Sequence, residues 1–303
     1  MNGELKKYLL LCLTAGLLHT VSGCGQKASQ REGEASPDST ELLAAWAAGA
    51  TRIDSADVAV RAAEIRAQKR LICFDLDGTL TQHKTPLSPE NRAALDALGK
   101  KYRLLMVGAG QCERIFRQMG EYPIDIIGNY GMQEAAYDAA AGTIRLVRDD
   151  HAPCDRPSVE KRVTMLREKY GFTSFAGENV EFHPSGCVTF PILGTKAAAA
   201  DKLAFDPDRS KRRRIYAEVC ATFPEYVVFV GGSSSFDMAP RPYDKRYALD
   251  RYCREHGVRH DEVIFMGDDY GPGGNDESVY RSDFGFRTID DYRTFPQAVA
   301  DLI

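Results

Sequence analysis

The sequence predicts an α/β protein, a doubly wound parallel sheet with an inserted α+β cap domain. Three observations carry this. From residue 71 to about 127, short apolar runs alternate with helical stretches, the pattern of parallel strands joined by crossover helices. The alternation breaks near residue 146 and resumes near 241. Two of the apolar runs, Leu71–Phe74 and Val263–Met266, end in carboxylates, at the strand end where open α/β sheets bind ligands.

The chain has 303 residues, 44% hydrophobic and 27% charged, with a net charge of −4. That length suits one large domain or two ordinary ones, and the charge gives no reason to expect nucleic acid as a partner. Residues 1–24 differ from the rest: Lys6 and Lys7 precede an apolar run that ends at Val21-Ser22-Gly23-Cys24. A basic start, a short apolar stretch and small residues at its end describe a signal peptide. The last four residues resemble a bacterial lipobox, which implies an exported lipoprotein tethered to a membrane through Cys24. The alternative is an ordinary amphipathic helix on a cytoplasmic protein. Residues 25–67 read as a polar linker and an Ala-rich helical lead-in. The eight cysteines are widely spaced with no CxxC pair, so no zinc site or disulfide framework is expected.

The core is expected over 68–146 and 241–303. After the strand at 71–74, Ser88-Pro89 supplies an N-cap and a first-turn proline for a helix to about Lys101. Strands follow at Arg103–Val107 and Ile124–Ile127, with a helix over Glu113–Met119. The cap is expected over 147–240, with a helix at Ser158–Tyr170 and strands at 179–182, 187–190 and 226–230. A second cap helix is expected to open at Asp206-Pro207. The run Lys211-Arg-Arg-Arg214 reads as a solvated helix face.

The chemistry centres on Asp75-Leu-Asp77-Gly78-Thr79. An extended backbone sends residues i and i+2 to one side, so Asp75 and Asp77 face one point and their repulsion calls for a cation. Asp268 follows the second acidic strand, placed to hold Mg²⁺ with Asp75 and the Asp77 carbonyl, since hard oxygen donors suit that ion. Lys245, at a helix start, can reach a transferring phosphoryl group. Pro272-Gly-Gly-Asn275-Asp276 reads as a turn returning toward the metal.

Together these residues resemble the haloacid dehalogenase superfamily of phosphotransferases. The resemblance implies Asp75 as the nucleophile that forms an aspartyl-phosphate and Asp77 as the general acid/base. A closer resemblance, to the eukaryotic-type phosphomannomutases, is carried by Phe74–Thr81, Gly232–Pro240, Tyr243-Asp-Lys-Arg-Tyr247 and Gly267–Asp276. It implies a C2-type cap, with Ser235 and Asp237 contacting a sugar substrate. Departures from that pattern are also visible. Gly110 stands where a hydroxyl residue usually holds the transferring phosphate, with Gln111 adjacent as a substitute. Lys84, His183, Thr195 and Lys202 stand where arginines are expected. Arginine grips phosphate through two parallel bonds that these side chains cannot reproduce. A mutase must hold both ends of a bisphosphate, so the sequence favours hydrolysis: a Mg²⁺-dependent phosphatase acting on a small phosphorylated metabolite such as a sugar phosphate. The alternatives are a phosphomannomutase using Lys84, Lys196 and Lys202, and a non-catalytic tethered binding protein.

Overall fold

The computed structural model describes residues 69–303. The expected leader with Cys24, and the linker and lead-in over 25–67, lie outside the described residues. No helix among the described residues is long and apolar enough to cross a membrane.

The main sheet has seven strands. In chain order they are β1 (Leu71–Phe74), β2 (Arg103–Val107), β3 (Asp125–Gly128), β4 (Gln133–Asp138), β5 (Thr143–Asp149), β10 (Val263–Gly267) and β11 (Gly285–Thr288). Their spatial order is β11-β10-β1-β2-β3-β4-β5. The first five in that order run parallel, whereas β4 and β5 are antiparallel to their neighbours. The register is level at the centre: Leu71 pairs with both Val263 and Arg103. Strand alternation sorts the side chains onto two faces. Ile72, Phe74, Met106, Ile126 and Met266 build one core, while Leu71, Cys73, Leu105, Ile127 and Phe265 build another. Each fully buried side chain of this size contributes about 1.5–3 kcal/mol, so a one-residue slip in register is strongly disfavoured.

Helices start where their caps dictate. Ser88 Oγ accepts the Asn91 N–H at 3.2 Å to open α1 (Pro89–Gly99), with Pro89 in the first turn. The next helix, α2 (Cys112–Gln118), follows β2. After β5 the chain leaves the main sheet and builds a second layer. It holds helices α3 (Arg156–Tyr170), α4 (Ala199–Phe205) and α5 (Ser210–Thr222). Its strands, β6 (Glu181–Phe182), β7 (Val188–Pro191), β8 (Tyr226–Phe229) and β9 (Ser235–Pro240), form an antiparallel sheet in the order β6-β7-β9-β8. The insert has its own core, including Val163, Phe190, Val219, Phe223 and Phe236. The chain then re-enters the main layer through α6 (Lys245–His256), whose N-cap Asp244 accepts the Tyr247 N–H at 2.7 Å.

The insert is seated on the carboxyl edge of the main sheet. Tyr130, just after β3, stacks on Phe229 with ring centroids 4.4 Å apart. The loop after β10 is held from above: Val230 N–H donates to the Gly273 carbonyl at 2.8 Å, and Arg213 Nε to the Pro272 carbonyl at 3.1 Å. Arg209 forms an ion pair with Asp269 of the same loop.

The structure departs from the sequence reading in four places. The β4–β5 hairpin carries no strand assignment from sequence, because β5 is a mostly exposed edge without the continuous apolar run of a buried strand. Ser235–Pro240, which carries no strand assignment from sequence, is a strand paired on both sides. Asp206-Pro207 does not open a helix: α5 begins at Ser210 after Arg209 in the left-handed region, φ 62°. Asp206 nevertheless accepts the N–H groups of Lys211 and Arg212, at 2.9 and 3.1 Å. The basic run is only partly a solvated face, with Lys211 and Arg214 exposed. Arg212 is buried, paired with Asp206 at 2.8 Å and bonded to the carbonyls of Gly231, Gly232 and Ser235.

Candidate active site

Three elements deliver the site. The carboxyl ends of β1 and β10 lie side by side and bring Asp75 next to Asp268. The first residue of α6, Lys245, is wholly buried beneath them. Its Nζ donates to Asp75 Oδ1 at 2.5 Å, Asn275 Oδ1 at 2.6 Å and Asp276 Oδ1 at 2.6 Å. An ammonium has three protons, and three acceptors take them. Burial alone would lower the Lys245 pKa, but the carboxylates of Asp276 and Asp75 outweigh it and push the pKa up. The ammonium therefore stays charged.

The carboxylates are in excess. Asp75, Asp268 and Asp276 each offer an oxygen, all within 4.8 Å of one another. Burial and the nearby charges of Asp75, Asp276 and Asp269 push Asp268 up to about 8. Burial raises Asp276 to about 7 despite Lys245, with Asp75 repelling it. Asp75 is also raised, mainly by burial, against the opposing pull of Lys245. Like charges confined in a buried space relieve themselves by taking up protons or a cation. Hard oxygen donors at this spacing fit a divalent cation. Asp276 is the most committed of the three, since its Oδ2 accepts the Asp269 N–H at 3.0 Å while Oδ1 holds Lys245.

Two residues of the loop after β1 set the Asp268 carboxylate. Thr79 Oγ1 donates to Asp268 Oδ1 at 3.0 Å. Gly78 has φ 105°, and a Cβ there would lie 2.3 Å from Asp268 Oδ2. Glycine is needed both for the backbone angle and for the close approach.

Asp77 meets a different set of partners from Asp75. Its Oδ1 accepts Gln118 Nε2 at 2.6 Å and the Lys84 N–H at 2.8 Å. Its Oδ2 lies 3.6 Å from Arg114 Nη1 and 3.8 Å from His83 Nδ1. The pair thus divides: Asp75 is buried against the ammonium, while Asp77 is partly exposed at the mouth.

On the insert, Asp237 accepts Thr189 Oγ1 at 3.0 Å, Ser235 Oγ at 3.3 Å and Tyr130 OH at 3.4 Å. Burial pushes its carboxyl pKa up, against the pull of the Thr189 hydroxyl and the nearby His183. Ser235 and Asp237 therefore lie together on a polar face that Tyr130 joins to the main layer. The other expected substrate contacts are exposed or engaged within the insert. Gln111 is exposed at the head of α2 and makes no capping bond. Lys84 is exposed and reaches Asp77 through its backbone. Lys202 Nζ donates to the Thr195 carbonyl at 3.0 Å, within the insert. Arg114, Gln118 and Tyr130 are the residues that sequence reasoning missed. The first two lie four residues apart on one helix, and that spacing places them on one face.

A profile of the family described as eukaryotic phosphomannomutase matches residues 173–301. A probable phosphomannomutase from Caenorhabditis elegans is 24% identical over 232 residues, covering 70% of this chain and 86% of that protein. Human phosphomannomutase 1 is 25% identical over 244 residues, covering 74% and 88%. Among solved structures, a haloacid dehalogenase-like hydrolase from B. subtilis superposes with a TM-score of 0.52 at 14% identity, covering 77% of this chain and 98% of that one. The last likeness shows the fold. The sequence matches overturn the expectation of a phosphatase acting on a sugar phosphate, because they point to phosphomannomutases. That expectation weighed a handful of positions, Gly110 and the replaced arginines. The matches extend over some 70% of the chain, and the family profile takes in the insert from residue 173 onward.

Proposed function

We propose that this phosphoryl-transfer enzyme of the haloacid dehalogenase superfamily, related to the phosphomannomutases, is itself a hexose-phosphate mutase that interconverts mannose 1-phosphate and mannose 6-phosphate. The observation that carries the reading is the extent of the phosphomannomutase match, residues 173–301, which takes in the Ser235–Asp237 face, Lys245, Asp268 and Asp276 together.

In this mechanism a carboxylate oxygen of Asp75 attacks phosphorus of a hexose bisphosphate, and the ester P–O bond breaks. Asp77 gives its proton to the leaving sugar oxygen. The monophosphate then presents its other hydroxyl, Asp77 takes the proton back, and that oxygen attacks the aspartyl-phosphate, freeing Asp75. One carboxylate group serves as nucleophile and the other as acid and base. Lys245 holds Asp75 in orientation and offsets charge close to the reacting atoms. Asp75, Asp268 and the Asp77 carbonyl would hold Mg²⁺, with Asp276 behind them; the ion supplies charge neutralisation at the phosphoryl oxygens when bound. Ser235 and Asp237 would bind sugar hydroxyls on the cap.

The test is a coupled assay of mannose 1-phosphate conversion with Mg²⁺ and catalytic hexose bisphosphate, with released phosphate measured in parallel. Isomerisation outpacing phosphate release supports the mutase. Phosphate release without isomerisation, over mannose and glucose phosphates alike, rejects it.

A further inference from the structure

Lys245 spends its three protons on Asp75, Asn275 and Asp276, so the buried ammonium has none left for a phosphoryl group. The same pocket holds three clustered carboxylates, with Asp77 beside them. An incoming phosphate adds negative charge to a site that already has too much. Apart from a bound cation, the chain needs another donor that faces this mouth.

Arg114 meets the requirement. It lies in the first turn of α2, and its guanidinium folds back over Gly110. A Cβ at position 110 would lie 2.1 Å from Arg114 Nη2, 2.4 Å from Nε and 2.6 Å from the central carbon. The guanidinium therefore occupies the volume that a side chain at 110 would take, at the carboxyl end of β2 beside β1. One of its nitrogens, Nη1, is anchored: it donates to Gln118 Oε1 at 2.6 Å and sits 3.6 Å from Asp77 Oδ2. Gln118 in turn donates to Asp77 Oδ1 and to Thr81 Oγ1, at 2.6 and 3.0 Å. The other edge, Nε with Nη2, has no hydrogen-bond partner among the described residues, and the side chain is 41% exposed. An anchored guanidinium with its Nε–Nη2 edge open is the planar fork that grips two oxygens of one phosphate.

We infer that Arg114 binds the transferring phosphoryl group, through the Nε–Nη2 edge, and that Gly110 is glycine so that the guanidinium can lie there. The inference rests on the reading of this pocket as a phosphoryl-transfer site. The bland alternative, a surface ion pair with Asp77, explains little: at 3.6 Å and this exposure such a pair contributes about 1 kcal/mol or less, and it gives no reason for the packing on Gly110.

The test titrates the full-length protein, with saturating Mg²⁺, with orthovanadate, a phosphoryl mimic that needs no sugar. Loss of a charge-assisted grip should weaken vanadate binding by about tenfold to a hundredfold in Arg114→Ala. Gly110→Ala, which leaves Arg114 in place but fills its seat, should show a loss in the same direction. Arg114→Lys, which keeps the charge and removes the fork, should fall between. Mg²⁺ affinity, measured on the same variants, should stay within about twofold of the parent. Equal vanadate affinity in Arg114→Ala and the parent overturns the inference. So does a parallel loss of Mg²⁺ affinity, which would make Arg114 a prop for the acidic pocket. Failure of the unmodified protein to bind vanadate rejects phosphoryl transfer itself, and this inference with it.

Discussion

Lys245 in the main layer and Arg167 in the insert are both buried cations, 0% and 2% exposed, yet their surroundings are opposite. Lys245 faces two carboxylates and an amide oxygen. Arg167 is held by uncharged oxygens: Asn179 Oδ1 at 2.6 Å and the carbonyls of Pro191, Ile192 and Phe172 at 2.6, 2.7 and 3.0 Å. Phe175 and Phe190 lie 4.0 and 5.0 Å from its guanidinium carbon. Burial lowers the Arg167 pKa to about 10, whereas the carboxylates hold Lys245 up. The contrast separates two uses of buried charge. Arg167 is a staple whose fixed dipoles tie α3 to the strands of the insert. Lys245 is one member of an unbalanced charge cluster that has work left to do.

Breaking each side of the comparison should give different readouts. Asp75→Asn, which removes the nucleophilic carboxylate beside Lys245, is expected to lower turnover by about 10⁴-fold or more in the coupled mutase assay, with a normal melting curve. Arg167→Met should do the reverse. Its orphaned carbonyls are expected to lower stability by about 2–4 kcal/mol in urea unfolding, while turnover per folded molecule stays within about twofold. A large loss of turnover without loss of stability in Arg167→Met would erase the distinction.

The unbalanced cluster also predicts a pH signature. With Asp268 raised to about 8, against about 3.9 for an exposed aspartate, the folded metal-free protein binds more protons than the unfolded chain between those values. Its stability from this group therefore falls as pH rises across that window. Divalent cations require the ionised form, so the gain in melting temperature on adding Mg²⁺ should be larger at about pH 8.5 than at about pH 6. A pH-independent gain would show that the carboxylates are not overloaded. Thr79→Val frees the Asp268 oxygen from its hydroxyl, and a Mg²⁺ affinity about tenfold weaker is expected by titration calorimetry. The smallest effect belongs to Gln111→Ala, whose exposed side chain should leave kcat and KM within about twofold.

The acidic end of the site was legible because Asp75, Gly78, Thr79 and Asp268 sit directly after apolar runs, where strand geometry fixes what comes next. Lys245 was legible through its cap, Asp244, which marks the helix start. The parallel half of the sheet followed from the same alternation. The open edge did not: β5 is exposed, so the core places little constraint on its residues. Arg114 and Arg167 were illegible for another reason. Each is a solitary cation in sequence, and its role is set by what the fold brings to it, a glycine seat in one case and five oxygens in the other. The basic run around Arg212 shows the same limit. Charge density along a chain says nothing about which of its members will turn inward.

The seat of the insert has one consequence of its own. Asp269 lies between Asp268 and the turn that carries Asp276, and it receives Arg209 from the insert while its own backbone N–H binds Asp276. The loop that completes the cation pocket is thus shared property, held from below by Lys245 and from above by Arg209, Arg213 and the Val230 N–H. Two bodies that grip one loop are thermodynamically linked, and the linkage is reciprocal. If steadying the insert on the sheet tightens the cation pocket, an ion in that pocket favours the seated insert by the same free energy.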